Sequence, residues 1–304
     1  IIIIMIDIGA NLAHREFSRD RDEVVRYARE VSGIEGIIVT GTSITGKNQR
    51  QIMDDLCESR FPNFCWKTVG VHPHNTEREF TQLRKTMRVP AKRESASDIE
   101  IMRAALESEA TLSPKATVAI GETGLDYARS FSFGIDQKRA FEAHLEVARK
   151  LGLPLFLHER DAFEDFVDAL DADAEKPSIS SAQDRGVVHC FSGGEREARA
   201  YLSRGLMLGI SGIVCMPEKG RAIRSALADG AIPLDRIMVE TDAPYLLPRQ
   251  ARSDVVRASR NEPAALPSVV RTVAELLDGG QHNETDVAAA CTDNARRLFR
   301  IDHK

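Results

Sequence analysis

The chain has 304 residues, 42% of them apolar and 29% charged, which excludes a small module and excludes disorder over most of the length. Its net charge of −5, from 41 Lys+Arg against 46 Asp+Glu, excludes a protein that grips long nucleic acid by bulk positive charge. It leaves room for an enzyme that holds a few phosphates at one site. Cys57, Cys65, Cys190, Cys215 and Cys291 are too scattered for a disulfide framework, and no C-x-x-C pair offers a thiolate zinc site. That usage fits a reducing compartment, so a cytoplasmic location is expected. No apolar run approaches the roughly 18 residues of a membrane helix.

In chain order, four isoleucines precede Met5, which reads as the natural start, and a first strand is predicted at Ile6–Ile8. Further strands are predicted at Gly36–Val39, Lys67–Val71, Thr117–Ile120, Pro154–Leu157, Gly186–Val188, Met207–Ile210 and Arg236–Val239. Each is short and apolar without alternation, the pattern of a strand buried on both faces of a parallel sheet. Helices are predicted between and after them, at about 20–32, 47–60, 98–110, 135–151, 161–171, 194–204, 218–228, 263–278 and 284–299. Eight strands alternating with helices predict a (β/α)8 TIM barrel over a single domain, 1–304; an open doubly wound sheet is the alternative. Residues 84–97 and 172–185 read as loop insertions. The first carries Arg84, Lys85, Arg88, Lys92 and Arg93, which could guide a nucleic-acid backbone or simply form a solvated loop.

The residues that follow the strands are rich in chemistry. Asp7-Ile-Gly-Ala-Asn11 runs out of strand one, His72-Pro-His74 follows strand three, and Glu122 follows strand four. His158 ends strand five, His189 ends strand six, and Glu240-Thr-Asp242 follows strand eight. In a barrel these positions share the C-terminal rim, where active sites lie. Two imidazoles (His158, His189) and two carboxylates (Glu122, Asp242) converging there form a divalent-metal cage. Taken singly, each has a structural alternative: a hydrogen-bonded histidine, a capping Glu122, a turn-forming Asp242. Gly41-Thr-Ser-Ile-Thr-Gly46-Lys47 looks like a phosphate loop but has Asn48 where magnesium needs Ser or Thr, so a plain strand-to-helix turn is expected. His72 and His74 are expected to contact substrate, with metal ligation as the alternative. Arg160 and Arg260 are expected to bind phosphate or to pair with neighbouring carboxylates. His14, His144, His282 and His303 are expected at surface or helix positions.

Taken in order, DIGANL at Asp7–Leu12, GVHPH at Gly70–His74, AIGETGLD at Ala119–Asp126, HERDA at His158–Ala162, HCFSG at His189–Gly193, ETDAPYL at Glu240–Leu246 and RNEP at Arg260–Pro263 resemble the TatD family of metal-dependent nucleases. The resemblance runs from about residue 5 to 300 and includes the ending Asn294-Ala-Arg-Arg-Leu-Phe299. It implies metal ligation by Glu122, His158, His189 and Asp242. It also implies phosphodiester hydrolysis, with 3′→5′ exonuclease action on single-stranded DNA or RNA. Most relatives carry a His-x-His pair after strand one; Gly9-Ala10-Asn11 stands there instead, which puts Asn11 beside the substrate and leaves a second metal without two ligands. Asp242 is expected to ligate metal or take a proton from water, and Glu240 to act from the same strand face. Magnesium is the expected cation, with manganese or zinc as alternatives. A monomer is expected. The rival readings are a small-molecule amidohydrolase or deacylase on the same barrel, and a non-catalytic binding protein.

Overall fold

The structure is a computed structural model describing residues 4–86, 96–129, 131–176, 184–249, 251 and 259–301. In chain order its elements are β1 (Met5–Ala10), α1 (Arg21–Val31), β2 (Ile34–Val39), α2 (Lys47–Asp54), β3 (Cys65–Val69), α3 (Thr76–Thr86), α4 (Ala96–Leu112), β4 (Thr117–Asp126) and α5 (Gly134–Leu151). There follow β5 (Leu155–Arg160), α6 (Phe163–Ala174), β6 (Gly186–Val188), α7 (Glu195–Leu202), β7 (Leu206–Ile210), α8 (Arg221–Ala228), β8 (Ile237–Val239), α9 (Leu266–Leu276) and α10 (Glu284–Phe299). The strands form one eight-stranded sheet in the order β1 to β8. This is the (β/α)8 TIM-barrel fold that the alternation of apolar runs and helices predicts.

Two differences have physical causes. α3 is not foreseen because Phe80 and Leu83 are the only large apolar residues it has, too few for a helical stripe. β4 runs on to Asp126 rather than stopping at Ile120, with all ten residues buried, although GETGLD looks like a turn. The predicted insertion at 84–97 begins inside α3 and ends inside α4, and Arg84 there pairs with Asp98. Arg88, Lys92 and Arg93 lie outside the described residues, as do 177–183 of the second insertion.

The chain divides into two compact units, one of residues 1–39, 61–66 and 187–304, the other of 40–60 and 67–186. In the first, β1 pairs with β2 in parallel, Ile6 opposite Gly36 and Asp7 opposite Ile37. β7 pairs with β8, Leu208 opposite Ile237 and Ile210 opposite Val239. α10 is tied down by Asn294, whose amide donates to the carbonyls of Leu234 (3.0 Å) and Ile237 (2.8 Å).

In the second unit β4 is the spine. It pairs with β3 through Thr68–Ala119 and Val69–Ile120, and with β5 through Gly124–His158 and Asp126–Arg160. Phe141 of α5 stacks on Phe166 of α6 at 5.2 Å. The Gly41–Lys47 turn is the plain strand-to-helix turn expected. The backbone N–H groups of Ile44 and Thr45 and the Ser43 hydroxyl donate to the buried Glu79 carboxylate, so the chain's own anion fills the cradle a phosphate would need.

His144 lies in α5 with no exposed surface. Its Nε2 accepts from the Val71 N–H at 3.0 Å, while Nδ1 sits 2.6 Å from the Ala140 carbonyl and donates to it. Burial pushes its pKa down from 6.5 to about 4, and the Ala140 bond resists only in part. The folded state therefore binds a proton less readily than the unfolded chain. This contribution to stability is whole above about pH 6.5 and is lost as pH falls towards 4, with a magnitude of a few kcal/mol. Chemical denaturation from pH 7 to 4 should show that loss, and His144→Gln, which keeps an acceptor without the titration, should flatten it. An equal pH slope in both proteins would reject the assignment.

Candidate active site

In the second unit, the chemistry grows from GETGLD in β4. Side chains two apart on a strand share a face, so Glu122 and Asp126 are presented together, with Gly124 between them. Gly124 lies opposite His158, and its φ of +140° is one that side-chain-bearing residues rarely adopt. A Cβ there would sit 1.9 Å from the His158 carbonyl oxygen, so only glycine lets β5 approach this closely.

That approach places His158 between the two carboxylates. Its Nδ1 is 3.0 Å from Glu122 Oε1 and its Nε2 is 3.2 Å from Asp126 Oδ2. A neutral imidazole has one N–H and one lone pair, so it can donate to only one of them. His74 Nε2 also approaches Asp126 Oδ2, at 2.7 Å, and Asp126 Oδ1 accepts from the Ala128 N–H at 3.0 Å. Burial opposes ionisation of Asp126, but the hydrogen bonds and charges of His158 and His74 outweigh it and hold the carboxyl well below its usual range. For His74 burial wins over the Asp126 charge and lowers the pKa, which favours the neutral ring. The tautomers consistent with this network donate Nε2–H from both rings to Asp126. They leave His158 Nδ1 as a lone pair beside Glu122.

His72 completes the group. The ligand atoms of His72, Glu122 and His158 lie within 4.8 Å of one another, close enough to surround one cation. His72 is nonetheless set up differently from His158. Its Nδ1 accepts the His74 backbone N–H at 3.0 Å, so in the neutral ring Nε2 carries the proton, and that nitrogen faces Glu122 Oε1 at 3.4 Å. The geometry favours His72 as a donor rather than a ligand. Arg160, at the end of β5, is exposed.

In the first unit, the segment after β8 supplies the groups. Glu240 is wholly buried and its carboxylate receives His189 Nδ1 at 3.2 Å and the Cys190 backbone N–H. A carboxylate on Nδ1 orients the imidazole and leaves Nε2 as the lone pair. Asp242 is half-buried and has φ +54°, the left-handed region that Asp and Asn tolerate. Its Oδ1 accepts from Asn11 Nδ2 at 3.0 Å. Its backbone N–H donates to the Gly9 carbonyl at 2.8 Å, and its carbonyl accepts from the Tyr245 N–H at 2.9 Å. Asp242 is therefore a turn residue by backbone, and its side chain is held by Asn11.

Asp7, also buried, accepts from the Thr241 hydroxyl (2.6 Å), the Thr241 N–H (2.9 Å) and the Gly9 N–H (3.2 Å). Burial pushes its pKa up to about 7 against those hydrogen bonds, and the Glu240 charge adds to the rise. Arg260 pairs with carboxylates, the alternative kept for it: Asp20 at 2.6 Å and Glu262 at 3.0 Å, over the face of Phe17.

Of the residues expected to carry the chemistry, the second unit brings together Glu122, His158, His72 and His74. The first brings His189 to Glu240 and Asp242 to Asn11. Asp126, Asp7 and Gln137 are missed by the sequence reading. Gln137 clasps the Asp126 backbone, accepting from its N–H (2.8 Å) and donating to its carbonyl (3.0 Å). The signal for Asp126 is the period of two from Glu122, which is visible only once GETGLD is read as strand.

The profile of the TatD-related DNase family matches residues 6–300. A 3′-5′ ssDNA/RNA exonuclease TatD of Rahnella sp. (strain Y9602) is 41% identical over 98% of this chain and 98% of its own. The protein of the same name from Erwinia billingiae (strain Eb661) is 40% identical over 98% of this chain and 99% of its own. Among solved structures, a TatD homolog from Escherichia coli K12 aligns with a TM-score of 0.76 at 23% identity, covering 99% of this chain and 100% of its own, a likeness of fold.

Proposed function

The chain belongs to the TatD-related DNase family, and on that premise we propose that it is a metal-dependent nuclease releasing nucleotides from the 3′ end of single-stranded DNA or RNA. The observation that carries this reading is His158 held between Glu122 and Asp126, beside His72. A neutral imidazole cannot satisfy two carboxylates as a donor, so a cation shared by Glu122 and His158 Nδ1 fits the donor set. A divalent cation there supplies charge neutralisation at a phosphate oxygen and a more acidic water. Magnesium suits the carboxylate and phosphate oxygens, while the imidazole also accommodates manganese or zinc.

The chain's own groups do the rest. Asp126 holds His158 through Nε2 and holds His74 in place. His72 Nε2–H is positioned to donate to a phosphate oxygen, and the exposed Arg160 to meet a neighbouring phosphate. The family motifs imply His189 and Asp242 as further ligands, and Glu240, at His189 Nδ1, sets that ring so that its lone pair is on Nε2. Asp242, held by Asn11, is the group to accept a proton from the attacking water. Arg260, tied to Asp20 and Glu262, is assigned to the scaffold. Five cysteines, none of them disulfide-bonded, suit a reducing cytoplasm.

Product analysis on end-labelled single strands, with magnesium, manganese and zinc in parallel, tests this reading. Mononucleotides should appear from free 3′ ends, and chelation or a blocked 3′ end should stop the reaction. Equal cleavage of circular single-stranded DNA would make the enzyme an endonuclease. No nucleotide release with any of the metals, alongside turnover of small amides or lactones, would favour the amidohydrolase reading.

A further inference from the structure

The segment between β4 and α5 turns aromatic rings to solvent. Tyr127 is 38% exposed, Phe131 60% and Phe133 67%, three of the eight exposed large hydrophobics among the described residues, and Ile135, in the first turn of α5, is 56% exposed. Concentration of this kind marks a binding surface rather than scatter. These rings line a cleft of about 370 Å³ with Asp126 and Arg129, a size within the roughly 300–1,000 Å³ of ligand-binding clefts.

The cleft is continuous with the site. Asp126 belongs to both, and the Phe131 ring meets His74 edge-on at 4.8 Å. Its base is stiff, because Gln137 bonds Asp126 and the Ser132 carbonyl (3.2 Å), and the Ser132 hydroxyl donates to the His74 carbonyl (3.0 Å). The Arg129 guanidinium lies 6.0 Å from the Phe131 ring centre. An exposed ring and a guanidinium side by side match the two parts of a nucleotide, a flat base and an anionic backbone. Glu77, also in the lining, is unsuited to phosphate but can accept an N–H from a base edge.

We propose that this cleft is a nucleobase-stacking subsite, in which one base of the single strand lies on Phe131 beside Phe133 while Arg129 meets a backbone phosphate. The assignment rests on the nuclease reading above and deepens it by saying how a strand is held without bulk positive charge. Stacking accepts any base, which suits an enzyme that works through a strand one nucleotide at a time. A protein partner or a second copy of this chain would leave the guanidinium and the link to His74 without a role.

The test uses the full chain as wild type, Phe131→Ala, Phe131→Trp and Phe133→Ala. Substrates are a labelled single strand and the same strand made abasic at each of its last four positions. Loss of one base should raise the wild-type KM about tenfold at one position. Phe131→Ala should raise KM on the intact strand by a similar factor, with kcat kept and with little further rise on that abasic strand. Phe133→Ala should show a smaller rise in the same direction, and Phe131→Trp should restore KM. An unchanged KM in Phe131→Ala, full additivity with the abasic loss, or failure of Trp to rescue would overturn the subsite while the nuclease reading stands. A wild-type chain that releases no nucleotides with any of the metals would overturn the nuclease reading instead, and the subsite with it. Sedimentation showing a dimer that Phe131→Ala abolishes would reassign the rings to an interface between copies and reject the proposal.

Discussion

Asp242→Asn is expected to lower turnover about 10²- to 10⁴-fold, the range for removing a general base, while the protein folds normally. Folding should survive because the backbone at residue 242 is left-handed, with φ +54°, and Asn adopts that region as readily as Asp. The backbone bonds to Gly9 and Tyr245 do not involve the side chain, and an amide oxygen can still accept from Asn11 Nδ2. What the substitution removes is the negative charge and nearly all the basicity. Elemental analysis and turnover at saturating cation, made on one preparation, divide the possibilities. Cation kept and activity lost identifies a proton acceptor. Cation and activity lost together identifies an indispensable ligand. Near-normal turnover would reject a catalytic role and leave Asp242 as a turn residue that Asn replaces without penalty.

Asp126→Asn is expected to weaken cation binding by about 10- to 100-fold, the usual effect of removing a carboxylate that orients a ligating histidine. Asp126 accepts on both oxygens, from His74 and His158 at Oδ2 and from the Ala128 N–H at Oδ1. An amide has one oxygen, so Asn must turn an NH2 towards either the imidazoles or the Ala128 N–H. In the first case His158 loses the acceptor that holds Nε2–H and so keeps the lone pair on Nδ1, towards Glu122. Calorimetric titration of the cation reads this directly, without relying on activity. At saturating cation kcat should largely recover, because Asp126 acts through His158. Unchanged cation affinity would show that Glu122 alone orients His158, and Asp126 would then be only a structural partner of His74.

Much of the candidate site was legible in the chain because its groups sit in contiguous motifs at strand ends, and a strand end reads well when an apolar run stops at a polar residue. His158 after Leu155-Phe-Leu157 and His189 after Gly186-Val-Val188 are of this kind. Asp126 was not legible, because Gly121 and Gly124 make GETGLD look like a turn. Only the close approach of β5 across Gly124 shows why glycine is needed inside a strand. α3 was hidden for a related reason. Its buried Glu79 is held by donors from the Gly41–Lys47 turn, a pairing between segments about 35 residues apart that no local pattern announces.

By itself, the sequence determined the (β/α)8 order, the family, and the residue types proposed to carry the chemistry, since periodicity and motif are properties of neighbours along the chain. Roles within the group were decided by tertiary structure. His72 and His74 are two residues apart and look equivalent. Folding gives His72 a backbone donor on Nδ1 and Glu122 across from Nε2, and gives His74 a carboxylate at Nε2. Glu240 and Asp242, also two apart, separate in the same way. Glu240 is buried against His189 and the Cys190 N–H, and Asp242 is half-buried beside Asn11. An imidazole or a carboxylate acts through whichever lone pairs and protons its neighbours leave it, and those neighbours come from distant parts of the chain.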